Sequence, residues 1–313
     1  ALFLGLLVVN VVQPGVGVEL KPAESAAEIV GAKQDLAEIL THIVPQNIID
    51  AAAKGEVLQI VIFTVIFSFA LAAIPAEKRQ VMLSFCESLA ETMFKFTGIV
   101  MRYAPIGVGA ALAVTVAHKG LGVLFNLGLL ILSLYAGLIL FVVFVLGGVA
   151  LLARIPIRAF LAAVKEPALI AFSTTSSEAA LPKAMEAMEK FGVPRRIVAF
   201  VMPTGYSFNL DGSTLYLAVA SIFVAQAAGI ELSLGQQVLM MLTLMLTSKG
   251  VAGVPRSALV ILAGTLASFG LPLEGVAVIL GVDEILDMGR TTVNVIGNCL
   301  ATAVVARWEG EFR

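Results

Sequence analysis

Apolar residues run almost unbroken along this chain, and its polar residues gather at a few breaks. Residues 121–153 carry no charged side chain before Arg154. A run of that length spans the roughly 30 Å of hydrocarbon in a bilayer. Residues 1–12 are as apolar but too few to span, and read as the end of a transmembrane helix that begins before Ala1, closed by Gln13-Pro14-Gly15. Residues 16–34 are polar and acidic and read as an extracellular loop. Residues 35–75 predict a helix interrupted at Pro45 and at Lys54-Gly55 and ended by Pro75, because proline removes a backbone donor. Residues 81–117 predict a long helix on which Glu91 and Lys95 form an i, i+4 bridge.

Further on, the pattern changes. Residues 159–190 hold two short apolar halves around Ser173-Thr174-Thr175-Ser176-Ser177, and residues 236–270 hold two more around Ser248-Lys249-Gly250 to Pro255. Neither half spans a bilayer alone. Between them, residues 196–228 form a helix broken at Asn209-Leu210-Asp211-Gly212-Ser213, and residues 273–308 form a last helix. Two interrupted hairpins at corresponding positions are the signature of a transporter built from inverted repeats with re-entrant tips at the membrane midplane.

Composition agrees: 59% of residues are hydrophobic and 13% charged, about half the charge of a soluble domain. Period-two alternation is absent, so an all-α membrane protein is expected rather than a barrel. No basic patch invites nucleic acid. His42 and His118 are isolated, no metal-ligand spacing occurs, and Cys86 and Cys299 read as free buried thiols. Basic residues of the short loops, Lys78, Arg79, Arg154, Arg158, Arg195 and Arg196 among them, fall on one side. That places the base of the first hairpin and the C-terminus in the cytoplasm.

The last helix carries a polar stripe. Asp283, Asp287, Arg290, Asn294 and Asn298 fall within roughly 80° of one another on a helix turning 100° per residue. Charges inside a bilayer persist where they bind something. The bland alternative is an Asp287–Arg290 pair that locks helices together.

The serine-rich tip at 173–177, Asn209-Leu210-Asp211-Gly212-Ser213, Gly250-Val251-Ala252-Gly253-Val254-Pro255 and Asp287-Met288-Gly289-Arg290-Thr291 with Asn294 together resemble the dicarboxylate/amino acid:cation symporter family, the glutamate and aspartate transporters. The resemblance covers the whole chain and places Ala1 near the end of the family's third helix. It implies a glutamate-transporter-like fold and a homotrimer in the plasma (inner) membrane. Residues 35–120 would form the scaffold, and residues 121–313 a transport domain that moves across the bilayer as an elevator. In that domain helix 121–153 precedes the hairpins and the broken helix.

The resemblance also implies roles. Arg290 would hold the substrate's side-chain carboxylate, for which a planar guanidinium is suited. Asp287 would accept its ammonium, with Thr291 in support, and Asn294 would bind the main-chain carboxylate. The tips at Thr175, Ser176 and Ser177 and at Val251, Ala252 and Gly253 would offer backbone groups and close as gates. Asp287 repels a substrate with no ammonium, so glutamate or aspartate ranks above a C4-dicarboxylate, and Arg290 disfavours neutral amino acids. Gly205, Ser207, Asn209, Asp211, Ser248, Asn294 and Asn298 match the family's cation ligands, oxygen groups suited to a hard cation. Asn298 stands where sodium-driven members often carry Asp, and Leu210 where they usually carry Met. Both departures favour protons over sodium. Glu178, beside the serine tip, is a candidate proton carrier if buried; its other reading is a solvated edge residue. Lys249 and Arg256 flank the second tip, where they would face extracellular water.

Other classes fit less well. An intramembrane enzyme could pair Asp211 with Asp287 or use Ser176 as nucleophile, but no base is placed to activate that serine. Arg290 beside Asp287 also defeats a shared-proton dyad. A channel fits the broken helices, yet the Arg290–Asp287 pairing suits a zwitterion. The expectation is therefore a symporter, with no organic cofactor and with H+ or Na+ as coupling ion. A sodium-coupled carrier of C4-dicarboxylates or other amino acids is the alternative.

Overall fold

The computed structural model describes residues 1–18, 20, 47–54, 57–103, 106–107, 109–110, 113, 116–117, 120, 122–248 and 257–312. His42, His118, Lys249, Val251, Ala252, Gly253 and Arg256 lie outside the described residues. The described chain is helical, and no strand occurs in it. Its helices are α1 (Leu2–Val12), α2 (Ile48–Lys54), α3 (Val57–Ala73), α4 (Ala76–Met101), α5 (Gly122–Leu152), α6 (Ile157–Thr174), α7 (Ser177–Lys190), α8 (Arg195–Phe208), α9 (Asp211–Ala227), α10 (Leu234–Thr247), α11 (Ser257–Ser268), α12 (Glu274–Leu280) and α13 (Asp283–Trp308).

The axis of the core is α9, whose residues Gly212–Ala225 are all buried. A helix apolar on every face belongs in a protein interior. α1, α5, α11 and α13 pack around it. Gly5 allows α1 to approach closely, because a Cβ there would meet the Leu215 carbonyl. Polar ties then fix the register. Gln226 Nε2 donates to the Val9 carbonyl at 3.1 Å, and Asn10 Nδ2 donates to Gln237 Oε1 at 2.9 Å. In an apolar setting such bonds matter because an unmade partner keeps its full desolvation cost.

α13 is the second organising helix, contacted by α5, α6, α7, α8 and α9. The Tyr135 hydroxyl of α5 donates to the Ile285 carbonyl at 2.8 Å, which anchors the start of α13. At its far end Arg307 donates to the Arg154 carbonyl and stacks on Phe312, which also meets Phe191. Arg196 pairs with Glu311, so the chain end is tied to the start of α8.

Both interrupted segments between 159 and 228 resolve into helix pairs, α6–α7 and α8–α9, with breaks at 175–176 and 209–210. α10 and α11 flank the second predicted tip, which lies outside the described residues. Three expectations are corrected. α4 begins at Ala76, not near 81: Pro75 supplies the start and its carbonyl accepts from Arg79 N–H at 3.0 Å. The charged Glu77-Lys78-Arg79 run is made of good helix formers, so it belongs to the helix rather than to a loop. The last segment is two helices, because Val282 leaves helical geometry (φ −119°, ψ 0°) between α12 and α13. Cys86 is exposed on the described chain, whereas Cys299 is buried. The first follows from α4, whose apolar side chains Val81, Phe85 and Phe96 face outward, the surface expected to meet lipid or a partner.

Two helical stretches among the described residues, Gly122–Leu152 and Arg195–Ala227, are long and apolar enough to cross a membrane. The first matches the predicted uncharged span and contains a π-helical turn at Phe141–Leu146.

Candidate functional site

The polar stripe of α13 is buried. Asp283 is 0% exposed, Arg290 1% and Asp287 3%. Arg290 Nε donates to Asp287 Oδ1 at 2.8 Å, and Nη1 donates to Asp283 Oδ1 at 3.0 Å. Thr291 Oγ1 donates to the same Asp287 oxygen at 2.7 Å. These spacings, i−3, i−7 and i+4, follow from side chains stacking on one helix face. Tyr216 of α9 covers the guanidinium with its ring, 4.2 Å from centroid to Cζ, a cation–π contact that helps to hold a desolvated cation.

These ion pairs of Arg290 run within α13, and its contact with Tyr216 joins α13 to α9. Two carboxylates share one guanidinium in a closed space. Burying ions costs several kcal/mol each, which only close, hydrogen-bonded partners offset.

Asn294, one turn beyond Arg290 on the stripe, faces the break before α9. Its Oδ1 accepts the amides of Gly212 at 2.8 Å and Ser213 at 3.2 Å, and its Nδ2 donates to Ser213 Oγ at 2.9 Å. The first amides of a helix lack intrahelical partners, and here a neighbouring helix supplies one. Gly212 makes the approach possible, since a Cβ there would run into the Arg290 carbonyl.

A second polar cluster lies further along α13. With its amide turned to donate, Asn209 Nδ2 stands 3.2 Å from both Asp211 carboxylate oxygens, and its oxygen stands 3.3 Å from the Asn298 amide. Asn298 packs on Gly205, where a Cβ would clash with its amide, and Asp211 packs on Gly297 in the same manner. The Asn298 Nδ2 atom is buried with no hydrogen-bond partner among the described residues. The broken helix and α13 thus bring Gly205, Asn209, Asp211 and Asn298 together, an oxygen-rich set of the type that binds hard cations. Ser248 ends α10 and donates to Met245 O at 3.3 Å, within its own helix. Ser207 lies on α8, with its side chain outside the description.

The first tip is tight. Thr175 sits at φ +51°, a left-handed conformation uncommon for a β-branched residue, and is buried with Ser177. Ser176 caps α7, accepting the Ala179 amide at 3.3 Å. α6 and α7 both pack on α13, the helix that carries Arg290. Glu178 lies in the first turn of α7, directly after the buried Ser177. At the open end of this hairpin a cavity of about 290 Å³ is lined by Glu166, Lys183, Glu186 and Lys190, charges that pair with one another.

Residues 1–308 match the sodium:dicarboxylate symporter family. The chain is a member of that family. It is 46% identical over 321 residues to the proton/glutamate-aspartate symporter of Escherichia coli K12, covering 100% of this chain and 74% of that protein. It is equally 46% identical over 319 residues to a proton/sodium-glutamate symport protein of Geobacillus stearothermophilus, covering 100% and 76%. The C4-dicarboxylate transport protein of Bacillus subtilis 168 is 43% identical over 318 residues, covering 100% and 75%. The family consists of transporters rather than enzymes, which disposes of the aspartyl and serine alternatives. Family membership makes this symporter a membrane protein, coupled to a cation and taking an acidic amino acid or dicarboxylate.

Asp283 and Tyr216 are the site residues that sequence reasoning left without a role. Asp283 stood on the stripe, seven residues before Arg290, and that two-turn spacing was the available signal. Tyr216 lies five residues beyond Asp211 on a helix apolar all round, and nothing in its own neighbourhood marked it.

Proposed function

We propose that the protein imports an acidic amino acid, glutamate or aspartate, across the inner (plasma) membrane in symport with protons in preference to sodium. The observation that carries this reading is Arg290, fully buried and paired with Asp287, whose carboxylate Thr291 also bonds, all on one helix. A guanidinium has five donors in a fork that matches a carboxylate, and the ion pairs to Asp287 and Asp283 use one Nε and one Nη1 donor. Asp287 beside it suits an ammonium. Together they favour a substrate with a negative end and a positive one.

Relatives of nearly equal identity are named for glutamate and for C4-dicarboxylates, so overall similarity does not separate the two. Asp287 is the basis for preferring the amino acid, because a dicarboxylate offers it nothing but repulsion. For the coupling ion the basis is Asn298, which leaves its cluster one carboxylate poorer than a strong sodium site wants. In this reading Gly205, Ser207, Asn209, Asp211, Ser248, Asn294 and Asn298 serve a weakened cation site. Thr175–Ser177 and Val251–Gly253 gate the substrate as tips of re-entrant hairpins. Residues 121–313 move as the transport domain against a scaffold from 35–120, in a homotrimer with an elevator mechanism.

The test is uptake of labelled aspartate by the protein in liposomes, under a proton gradient or a sodium gradient imposed separately, with unlabelled glutamate and succinate as competitors. Proton-driven uptake, displaced by glutamate and little by succinate, is expected. A strict sodium requirement would refute the proton assignment, and succinate competing as well as glutamate would refute the amino-acid assignment.

A further inference from the structure

Charge at the stripe does not balance. Among the described residues Asp283 and Asp287 pair with one cation, Arg290, and all three are buried. The two carboxylates are not equivalent. Asp287 Oδ1 receives two hydrogen bonds, from Arg290 and Thr291. Asp283 receives one on Oδ1, and its Oδ2 is buried with no hydrogen-bond partner among the described residues. Among the described residues, the groups that face Asp283 are Arg290 and Asp287 from its own helix and Tyr216 from α9. The Tyr216 hydroxyl interacts with the Asp283 carboxylate, but at a geometry that leaves its oxygen and Asp283 Oδ2 without a well-formed hydrogen bond among the described residues.

We propose that Asp283 is the proton-binding residue of the transport cycle, taking up a proton when an acidic substrate replaces it on Arg290. This rests on Arg290 being the ligand of the substrate carboxylate. In the empty site Asp283 stays ionised on the Nη1 donor. An incoming aspartate or glutamate needs that guanidinium, and it brings a net negative charge into a region already negative by one. Asp283, deprived of its donor and 0% exposed, then has no cation beside it among the described residues, and the neutral Tyr216 hydroxyl does not offset a buried charge. One proton from water, added to the open Oδ2, restores the charge of the empty site. The new O–H adds a donor to a carboxyl that lies beside the Tyr216 hydroxyl oxygen. When the substrate leaves on the other side, Arg290 returns to Asp283 and the proton is lost to water there. Because linkage is reciprocal, the proton tightens the substrate as much as the substrate tightens the proton.

The experiment measures aspartate affinity of the purified protein between pH 5 and pH 9, together with proton uptake from a weakly buffered solution on adding aspartate. The wild type should lose about tenfold in affinity per pH unit on the alkaline limb and take up about one proton per aspartate there. Asp283→Asn, neutral and of the same shape, should bind with an affinity that no longer varies along that limb, and should take up no proton. Absence of proton uptake by the wild type overturns the proposal without any variant, so a poorly folding variant does not shield it. It is overturned equally if Asp283→Asn keeps the wild-type slope, or if Glu178→Gln rather than Asp283→Asn removes it. Arg290→Gln separates the two layers. Loss of binding in that variant, with an unchanged slope in Asp283→Asn, sinks the proton assignment and leaves the substrate site standing. Binding by Arg290→Gln at wild-type affinity sinks the substrate reading itself.

Discussion

Asn294 closes the broken end of the helix that carries Ser213, accepting the Ser213 and Gly212 amides and donating to the Ser213 hydroxyl. A residue expected to greet the substrate is therefore also a structural cap delivered from another helix. Removing it should expose the difference between the two jobs. Asn294→Ala leaves two buried amides without an acceptor, at about 1–3 kcal/mol for each group stranded. The expected result is a lower unfolding temperature in detergent as well as lost aspartate binding. Lost binding with unchanged thermal stability would mean that the cap contributes nothing to the fold.

The close approach behind that cap gives a second prediction. Gly212→Ala pushes a methyl into the Arg290 carbonyl, so α9 and α13 must separate. Overpacking of this kind costs about 1–3 kcal/mol, and uptake should fall because Arg290 moves with its backbone. Gly128→Ala is the control: it lies in α5 with open space around its Cβ. There a helical alanine should be neutral or stabilising by up to about 1 kcal/mol. Thermal unfolding and uptake of both variants decide the matter, and equal losses in the two would remove the steric argument.

Much of this architecture is legible in the sequence, and what is not has physical reasons. The hairpin α6–α7 and the break at 209–210 announce themselves, because serine runs and an Asn-Leu-Asp-Gly string have no place inside a lipid-facing helix. The break at Gly281-Val282 does not, since two small or apolar residues after an apolar stretch leave the hydrophobic pattern intact. Periodicity places Asp283 and Arg290 on one face, yet only the reach of the arginine side chain decides that they pair. The stacking of Tyr216 on Arg290 depends on which face of α9 meets α13, and a helix buried on all sides gives no clue to that. Asn294 was read for its chemistry towards a substrate, and its bonds to α9 depend on a distant partner 81 and 82 residues away.

Arg290 neutralises two buried acids, so its loss should be felt in the fold as well as in transport. Arg290→Ala strands Asp283 and Asp287, and breaking a buried pair costs about 3–5 kcal/mol. Adding Asp283→Asn removes one stranded charge and should recover part of that stability without recovering uptake. A double-mutant cycle on thermal unfolding measures the coupling. Strictly additive effects would show that the 3.0 Å contact between Asp283 and Arg290 has no energetic content.

The coupling ion can be moved by one side chain. Asn298 packs on Gly205 and lies beside Asn209, which reaches Asp211. Its amide offers a cation one neutral oxygen. Asn298→Asp would place a full negative charge among those oxygens, and affinity of hard-cation sites rises with the charge of their ligands. Packed against Gly205, that carboxylate needs a cation to offset its burial, and sodium is the abundant one. Uptake by the variant should depend on sodium, with the half-saturating concentration lowered by about tenfold or more relative to any sodium effect in the wild type. Proton-driven uptake without sodium should fall in parallel, because an empty site would hold an uncompensated charge. Measuring uptake against sodium concentration at fixed pH, in both proteins, checks this. If Asn298→Asp leaves the sodium response flat while binding aspartate normally, the cluster around Asn209 and Asp211 is not where the coupling ion is chosen.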